Sequence, residues 1–368
     1  MRYRLLAVAF MGFAASGQTA QSDYHLKEVY SCKLRHLKVS EEDFREPITF
    51  EDADYLYYTH NGRHPGDIRI WQVSKKSDRT RSITCQTGDP DIQPGAFMMA
   101  KGYLYLVGYS SAGQVLLKCR KRSNSLFETS VSRQVNFVPN NRNLILLKDS
   151  FIVINSFYYP DLSIPNTNNL NITVYDPDLN PVKECSVNTG LTAISSIDPQ
   201  HYFYVRHDSL YFLSPSDGRI HVFMQDTLRE RHQLRMNDLK LLSKESIDTL
   251  RHYAIRTDVM STYWKLNDYL DDSGVSYFFF IDPIAPEIYL LGVRDISHAR
   301  WMLLNRNFQE IHAVNLIMEI ARLNQNDYFS YYFTHLQTRD GFSSIRIRKG
   351  RINRFRRYFD YTHYTSAW

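Results

Sequence analysis

The sequence predicts an all-β fold, a six-bladed β-propeller of four-stranded antiparallel blades, on three observations. Aromatic residues are 14% of the 368 residues, with 26 Tyr and 21 Phe against only 15 Gly and 13 Pro. Such side chains suit pleated, half-buried surfaces. One pattern recurs six times: alternating apolar residues, a short polar turn, then a second alternating run. The copies begin 45, 57, 48, 81 and 44 residues apart, and a period of about 40 to 50 residues with four strands per unit marks propeller blades. A two-sheet sandwich of the jelly-roll kind explains the alternation but not the recurring four-strand unit. With 43% hydrophobic and 23% charged residues, disorder, collagen and a polytopic membrane protein are excluded.

The first segment reads as an export signal. Arg2 and Arg4 precede an apolar run, Leu5 to Ala15, and small residues follow through Ala20. That order matches a cleavable secretory peptide. The run is too short for a bilayer-spanning helix, which needs about 20 apolar residues. Cys32 lies too far downstream for a lipid anchor. The expectation is a signal peptide over 1–20 and a propeller over 21–368, placed in the periplasm or outside the cell. N-terminal sequencing of the exported protein should begin between about Gly17 and Ser22; intact Met1 recovered from the cytoplasm would contradict this.

The elements follow in order. HLKEVYSCKLRHLKVS, from His25, is strand-like and is expected to pair with the last blade and help close the ring. ITFEDADYLYYTH and then IWQVSKKSDRTRSITC make the first blade. FMMAKGYLYLVGY and VLLKCRKRSNSLFETSV make the second, LILLKDSFIVINSF and ITVYDPDLNPVKECSV the third. The fourth is YFYVRHDSLYFLS with IHVFMQDTLRERHQL, and the fifth VSYFFFIDPIAPEIYLLGV with WMLLNRNFQEIHAV. The sixth, weaker copy is the region ending DYFSYYFTHL with IRIRKGRINRFRRYF. Period-2 alternation turns one side of each strand inward. The hairpin turns carry the expected residues: Ser77-Asp78, Ser123-Asn124, Pro177-Asp178, Asp226-Thr227, Asn305 to Asn307 and Lys349-Gly350.

Between blades four and five lies a partly helical insertion, Arg229 to Gly274. Ser243 can cap a helix from Lys244, with Ile247, Leu250 and Tyr253 on one side. Val259, Tyr263, Leu266 and Leu270 make a second apolar stripe. Such stripes ordinarily dock against the body; here they could also cap the ring as a lid. The four cysteines, Cys32, Cys85, Cys119 and Cys185, lie in or beside strands without metal-ligand spacing. They read as small buried side chains, and export allows one disulfide whose connectivity the spacing leaves open.

The signal segment, the aromatic hairpins and the stretch from DLKLLSKESIDTLRHYAIRTD through MSTYWKLNDYLDDSGVSYFFFID resemble the secreted six-bladed β-propeller proteins abundant in Bacteroidetes. The resemblance is one of pattern and spans nearly the whole chain after the signal. It implies a binding or scaffolding protein and supplies no catalytic residues.

Topology picks a face. In a four-stranded blade the second-to-third loops and the blade-to-blade loops share one end. The long segments, Thr59 to Asp67, Ser156 to Asn171, Arg229 to Gly274 and His335 to Gly341, are all assigned there. Long loops in a compact domain are more often functional than short ones. The candidate ligand-binding residues are therefore Arg63, His64, Tyr158, Tyr159, Asp161, Arg294, His298, Arg339 and Asp340. Tyr offers a broad apolar surface with a polar tip, and Arg a donor fork for carboxylate or sulfate.

No catalytic constellation is visible. His60 and His64 sit around Gly62 in a loop that Pro65 continues, so helical metal-ligand spacing does not apply. Nucleophile-elbow, zincin and phosphate-loop motifs are absent. The basic run Arg346, Arg348, Lys349, Arg351, Arg354, Arg356 and Arg357 reads as a solvated outer strand guarded against edge pairing; export argues against nucleic acid. Asn171-Ile172-Thr173 fits a glycan acceptor where the host makes such glycans. The expected function is ligand or protein binding through the loop-rich face by a monomer, with an envelope protein or glycan as partner and without metal or cofactor. The alternative is a carbohydrate-active hydrolase or lyase using carboxylates in the central funnel.

Overall fold

The structure, a computed structural model, describes residues 25–34, 36, 47–60, 67–111, 113–135, 144–147, 150–155, 169–188, 203–206, 209–214, 218–224, 227–234, 236, 239–241, 272, 274, 276–285, 287–295, 298–314, 332–334, 342–349 and 357–367. The fold is nearly all-β and propeller-like, built of four-stranded antiparallel meanders taken in chain order. The first holds β2 (Pro47–Glu51), β3 (Tyr55–His60), β4 (Asp67–Ser74) and β5 (Thr80–Gln86). The second holds β6 (Gln93–Ala100), β7 (Tyr103–Ser110), β8 (Gly113–Ser123) and β9 (Leu126–Val135). The third holds β10 (Leu144–Leu147), β11 (Ser150–Asn155), β12 (Asn169–Tyr175) and β13 (Pro181–Asn188). The fourth holds β14 (Phe203–Arg206), β15 (Ser209–Leu213), β16 (Arg219–Met224) and β17 (Thr227–Gln233). The fifth holds β18 (Tyr277–Ala285), β19 (Ile288–Asp295), β20 (His298–Leu304) and β21 (Glu310–Val314). A short parallel stretch, Thr84 to Gln86 beside Leu126 to Glu128, merges the first two meanders into one eight-stranded sheet.

The last sheet draws on both ends of the chain. It orders β22 (Tyr332–Thr334), β23 (Phe342–Lys349), β24 (Arg357–Ala367) and then β1 (His25–Leu34). β1 lies antiparallel to β24, from His25 opposite Ala367 to Leu34 opposite Phe359. The N-terminal strand therefore pairs with the last sheet, as its pattern predicts. The hairpin from Ile345 takes a different place from the one its spacing suggests. β23 and β24 are the second and third strands of this sheet, because β1 occupies the fourth position and satisfies the free edge of β24. The basic run is thus not an outer strand. Only its tip, where Lys349 pairs with Arg357, reaches past the end of β1.

The core lies between the sheets. A lone meander would expose two apolar faces, and stacking neighbours buries them. Ile68, Ile70 and Ile83 of the first meander meet Leu104, Leu106, Leu117 and Phe127 of the second. Met98, Tyr105, Val107 and Leu116 of the second meet Leu144 and Tyr175 of the third, with Leu179. Tyr204, Leu213 and Ile220 of the fourth meet Ile281, Tyr289, Leu291 and Met302 of the fifth. Leu34 of β1 closes onto Leu56, Tyr58 and Val73 of the first meander, and His36 stacks on Trp71 with ring centroids 3.9 Å apart. First strands of neighbouring meanders run side by side, β2 with β6, β6 with β10 and β14 with β18.

β17 continues through Gln233, so the excursion between the fourth and fifth meanders starts later than Arg229. Its ends are tied by a bridge between Leu241 and Ser276, whose N–H donates to the Lys240 carbonyl at 2.8 Å. The two helical stripes within it lie outside the described residues. The signal segment lies outside them too.

Candidate binding face

The two ends of the meanders are chemically distinct. At one end sit the first-to-second and third-to-fourth turns, which hold two to five residues in each of the first five meanders. These turns lean on each other in pairs. The Lys75 N–H donates to the Asp54 carbonyl at 2.9 Å, and Lys76 pairs with Asp54 at 2.9 Å. The Lys75 ammonium reaches Glu51, burying both. In the fifth meander Arg306 approaches Glu287 at 3.7 Å across the same two kinds of turn. Asp78, Leu179, Glu287 and Phe308 each adopt a positive φ in these turns. Asp52, Asp176 and Asn305 cap them by accepting backbone N–H bonds through their side chains, which is the ordinary work of Asx turns.

The opposite end carries the second-to-third connections and the links between meanders. Their common placement is visible in the first two meanders. Ser111, in the β7–β8 turn, donates to Asp91 Oδ2 of the β5–β6 link at 3.5 Å. A Cβ on Gly108 would lie 2.8 Å from Ile92 Cγ2 and 3.0 Å from the Gln93 carbonyl, so the link packs tightly over β7. Thr87, Asp89 and Asp91 fold that link back on itself through hydrogen bonds of 2.7 and 2.9 Å. The connections of these two kinds that hold the most residues are 156–168, 189–202, 234–276 and 315–331.

The sequence-derived site residues fall unevenly on this topology. Arg63, His64, Tyr158, Tyr159 and Asp161 belong to second-to-third connections but lie outside the described residues. Arg294 and His298 flank the β19–β20 turn, with Arg294 opposite Ala299 and Asp295 opposite His298. Arg339 and Asp340, also outside the described residues, sit between β22 and β23. That is a first-to-second position, at the other end of the meander from the one assigned to them by sequence. The cause is the seat that β1 takes in the last sheet, which shifts every strand there by one place. The second-to-third position of that sheet is instead the β23–β24 connection, which carries Arg351, Arg354 and Arg356. The sequence pattern led to the pairing of β1 with the last blade but not to the shift of one place that this pairing imposes, because a borrowed strand leaves the local pattern of the sheet unchanged.

The first strands of the sheets are mainly apolar: PITFE, QPGAFMMA, LILL, FYVR, YFFFIDPIA and YFT. Two charged side chains described there are already engaged. Glu51 holds Lys75, and Arg206 donates to the Tyr289 hydroxyl at 3.2 Å. Tyr204 stacks on Tyr211 at 4.5 Å and tilts against Tyr289 at 5.5 Å. Burial holds the Tyr57 and Tyr204 phenols well above the usual tyrosine range and pushes Tyr105 up to about 12. These phenols stay neutral, and those of Tyr57 and Tyr105 serve as hydrogen-bonding groups. Tyr57 accepts from Gln72 Nε2 at 2.7 Å, and Tyr105 donates to the Pro177 carbonyl at 3.2 Å. Among the described residues, no group of three or more His, Cys, Asp and Glu is gathered as a metal site.

Lys118 fastens the second meander to the third. Its ammonium lies 2.7 Å from Asp178 Oδ1 and 4.2 Å from the Tyr103 ring, with its stem buried. Asp178 is 71% exposed, so solvent screens the pair and a double-mutant cycle should return a coupling of about 0.2–1 kcal/mol. Lys118→Ala alone should cost more than Asp178→Ala, because it also loses the ring contact and buried methylenes. Equal costs in urea unfolding would contradict that division.

No family model and no curated protein matches the chain. Solved structures resemble it. A protein of Bacteroides fragilis, provisionally described as exported, superposes with a TM-score of 0.60 at 10% identity, over 92% of this chain and 94% of its own. A member of the DUF4221 family from Bacteroides vulgatus gives 0.48 at 10% identity, over 93% and 98%. A periplasmic gluconolactonase from Pseudomonas aeruginosa gives 0.43 at 10% identity, over 82% and 80%. Among the described residues no helix is long and apolar enough to cross a membrane.

Proposed function

We propose that the chain is an exported six-bladed β-propeller that binds an envelope protein or glycan through the end of its sheets bearing the long connections. The observation that carries this reading is the asymmetry of the connections. Short, ion-paired turns occupy one end, and the segments 156–168, 189–202, 234–276 and 315–331 all belong to the other. A rigid array of stacked sheets presenting loops of varied length suits recognition without chemistry. The meanders act as blades, and the pairing of β1 with β24 closes them into one ring. The export reading rests on the basic start and short apolar run over residues 1–20.

On this reading Arg63, His64, Tyr158, Tyr159, Asp161, Arg294 and His298 contribute to the face. Arg351, Arg354 and Arg356 take the place first assigned to Arg339 and Asp340. The protein works as a monomer without a cofactor. Screening of the purified protein against glycan arrays and envelope extracts identifies the ligand. The double variant Tyr158→Ala with Tyr159→Ala should then weaken binding by about tenfold or more, as loss of anchor aromatics does, with an unchanged melting temperature. A lowered melting temperature with intact affinity would make these tyrosines structural and remove them from the face.

A further inference from the structure

Cys85 and Cys119 meet at the interface between the first two meanders. Cys85 lies on β5 beside Ile83, and Cys119 on β8 beside Leu117, in the same buried cluster. Their sulfur atoms are 3.2 Å apart and both residues are wholly buried. The other members of this cluster are apolar, and the Thr129 hydroxyl lies 3.6 Å from Cys119 Sγ. The position is also where the two meanders join, through the parallel stretch of β5 with β9.

We propose that Cys85 and Cys119 form a disulfide that locks the first two blades together in the exported protein. The compartment rests on the export reading above; the pairing rests on the geometry. A disulfide needs its sulfurs at about 2.05 Å, so the thiols must close by little more than 1 Å. The reaction takes a disulfide donor, either an exported thiol–disulfide oxidoreductase or glutathione disulfide. The Cys119 thiolate attacks one donor sulfur and releases a donor thiolate. The Cys85 thiolate then attacks Cys119 Sγ in the mixed disulfide and releases the second. Two thiols of the protein lose two protons and two electrons, and the donor is reduced to two thiols. The step is the same with the two cysteines exchanged, and in the folded chain the two thiols are unequal. The Cys85 S–H donates to Cys119, and the Thr129 hydroxyl lies 3.6 Å from Cys119 Sγ, which together lower the Cys119 thiol against the effect of burial. The same hydrogen bond, with burial, raises Cys85. Because both are buried in the folded chain, the donor reacts during folding, before the meanders close.

The test has two arms. The protein is refolded with glutathione disulfide, blocked with an alkylating agent under denaturing conditions and digested without reductant. A cross-linked peptide pair containing Cys85 and Cys119, two hydrogens lighter than the separate peptides, is expected. Both cysteines found alkylated, or either linked to Cys32 or Cys185, would overturn the pairing. The second arm maps the protein recovered from the exporting host. Linkage in the refolded arm but free thiols in the host would leave the pairing intact and defeat the compartment. The oxidised form should also melt higher than the reduced form by about 5 °C or more, given a loop of 34 residues. Cys85→Ala should abolish that redox dependence, and its persistence in this variant would overturn the proposal.

Discussion

A chain from which residues 25–34 are deleted should not accumulate as a folded monomer. β1 supplies the fourth strand of the last sheet and caps β24 along nearly its whole length. Its removal leaves the N–H and C=O groups of β24 exposed as a template for another chain, which is the usual route to aggregation at a sheet edge. It also strips the cover from the first meander. Leu34 is wholly buried among Leu56, Tyr58 and Val73, with Tyr30, Cys32 and Trp71 packed alongside. The expected result is soluble aggregate or dimer by light scattering, with a broadened melt, and partial rescue by a peptide spanning 25–36 added in trans. The point variant Leu34→Ala isolates the packing part and should cost about 2–5 kcal/mol, the range for deleting a buried leucine. A monomeric deletion variant with unchanged circular dichroism and melting temperature would show that β1 does not close the fold.

Gly218→Ala is expected to be nearly as damaging for one added methyl group. Gly218 sits at a φ of +67°, where an L side chain is strained, at about 1–2 kcal/mol. The added Cβ would fall 2.7 and 2.9 Å from Cε2 and Cζ of Phe278. Phe278 is completely buried and cannot swing aside; overfilling a packed site costs about 1–3 kcal/mol more. The glycine is held in place by its own hydrogen bonds, its N–H donating to the Ser214 carbonyl at 3.1 Å and its carbonyl accepting from Leu234 at 3.0 Å. Gly102→Ala is the control. Gly102 also has a positive φ, of +81°, but nothing lies near its would-be Cβ. It should lose only the strain. Similar losses for both variants in urea unfolding would mean that the Phe278 contact carries no weight.

Gly218 also shows where sequence reading stops. In Ser216-Asp217-Gly218 it looks like any turn glycine; that it opens a seat for a phenylalanine sixty residues downstream is a fact of packing between two meanders. The Cys85–Cys119 meeting is of the same kind. Both cysteines were legible as buried strand residues. Their contact depends on which faces of the first two meanders stack. The last sheet is the clearest case. The basic hairpin from Ile345 reads as third and fourth strands because the five earlier copies are so. The strand that displaces it is about three hundred residues away.

The strands, the hairpins with their turn residues and the repeat of the meander were set by the sequence alone, because alternation with a period of two is a local property that each segment carries by itself. The excess of Tyr and Phe likewise announced pleated, half-buried sheets. Only the tertiary structure decided that β1 displaces the last hairpin by one place in its sheet, and which sulfurs face each other. Those outcomes depend on unpaired backbone groups and apolar faces finding partners across the molecule. Such partners are chosen by the closing of the sheets upon one another, and no window of neighbouring residues contains that choice.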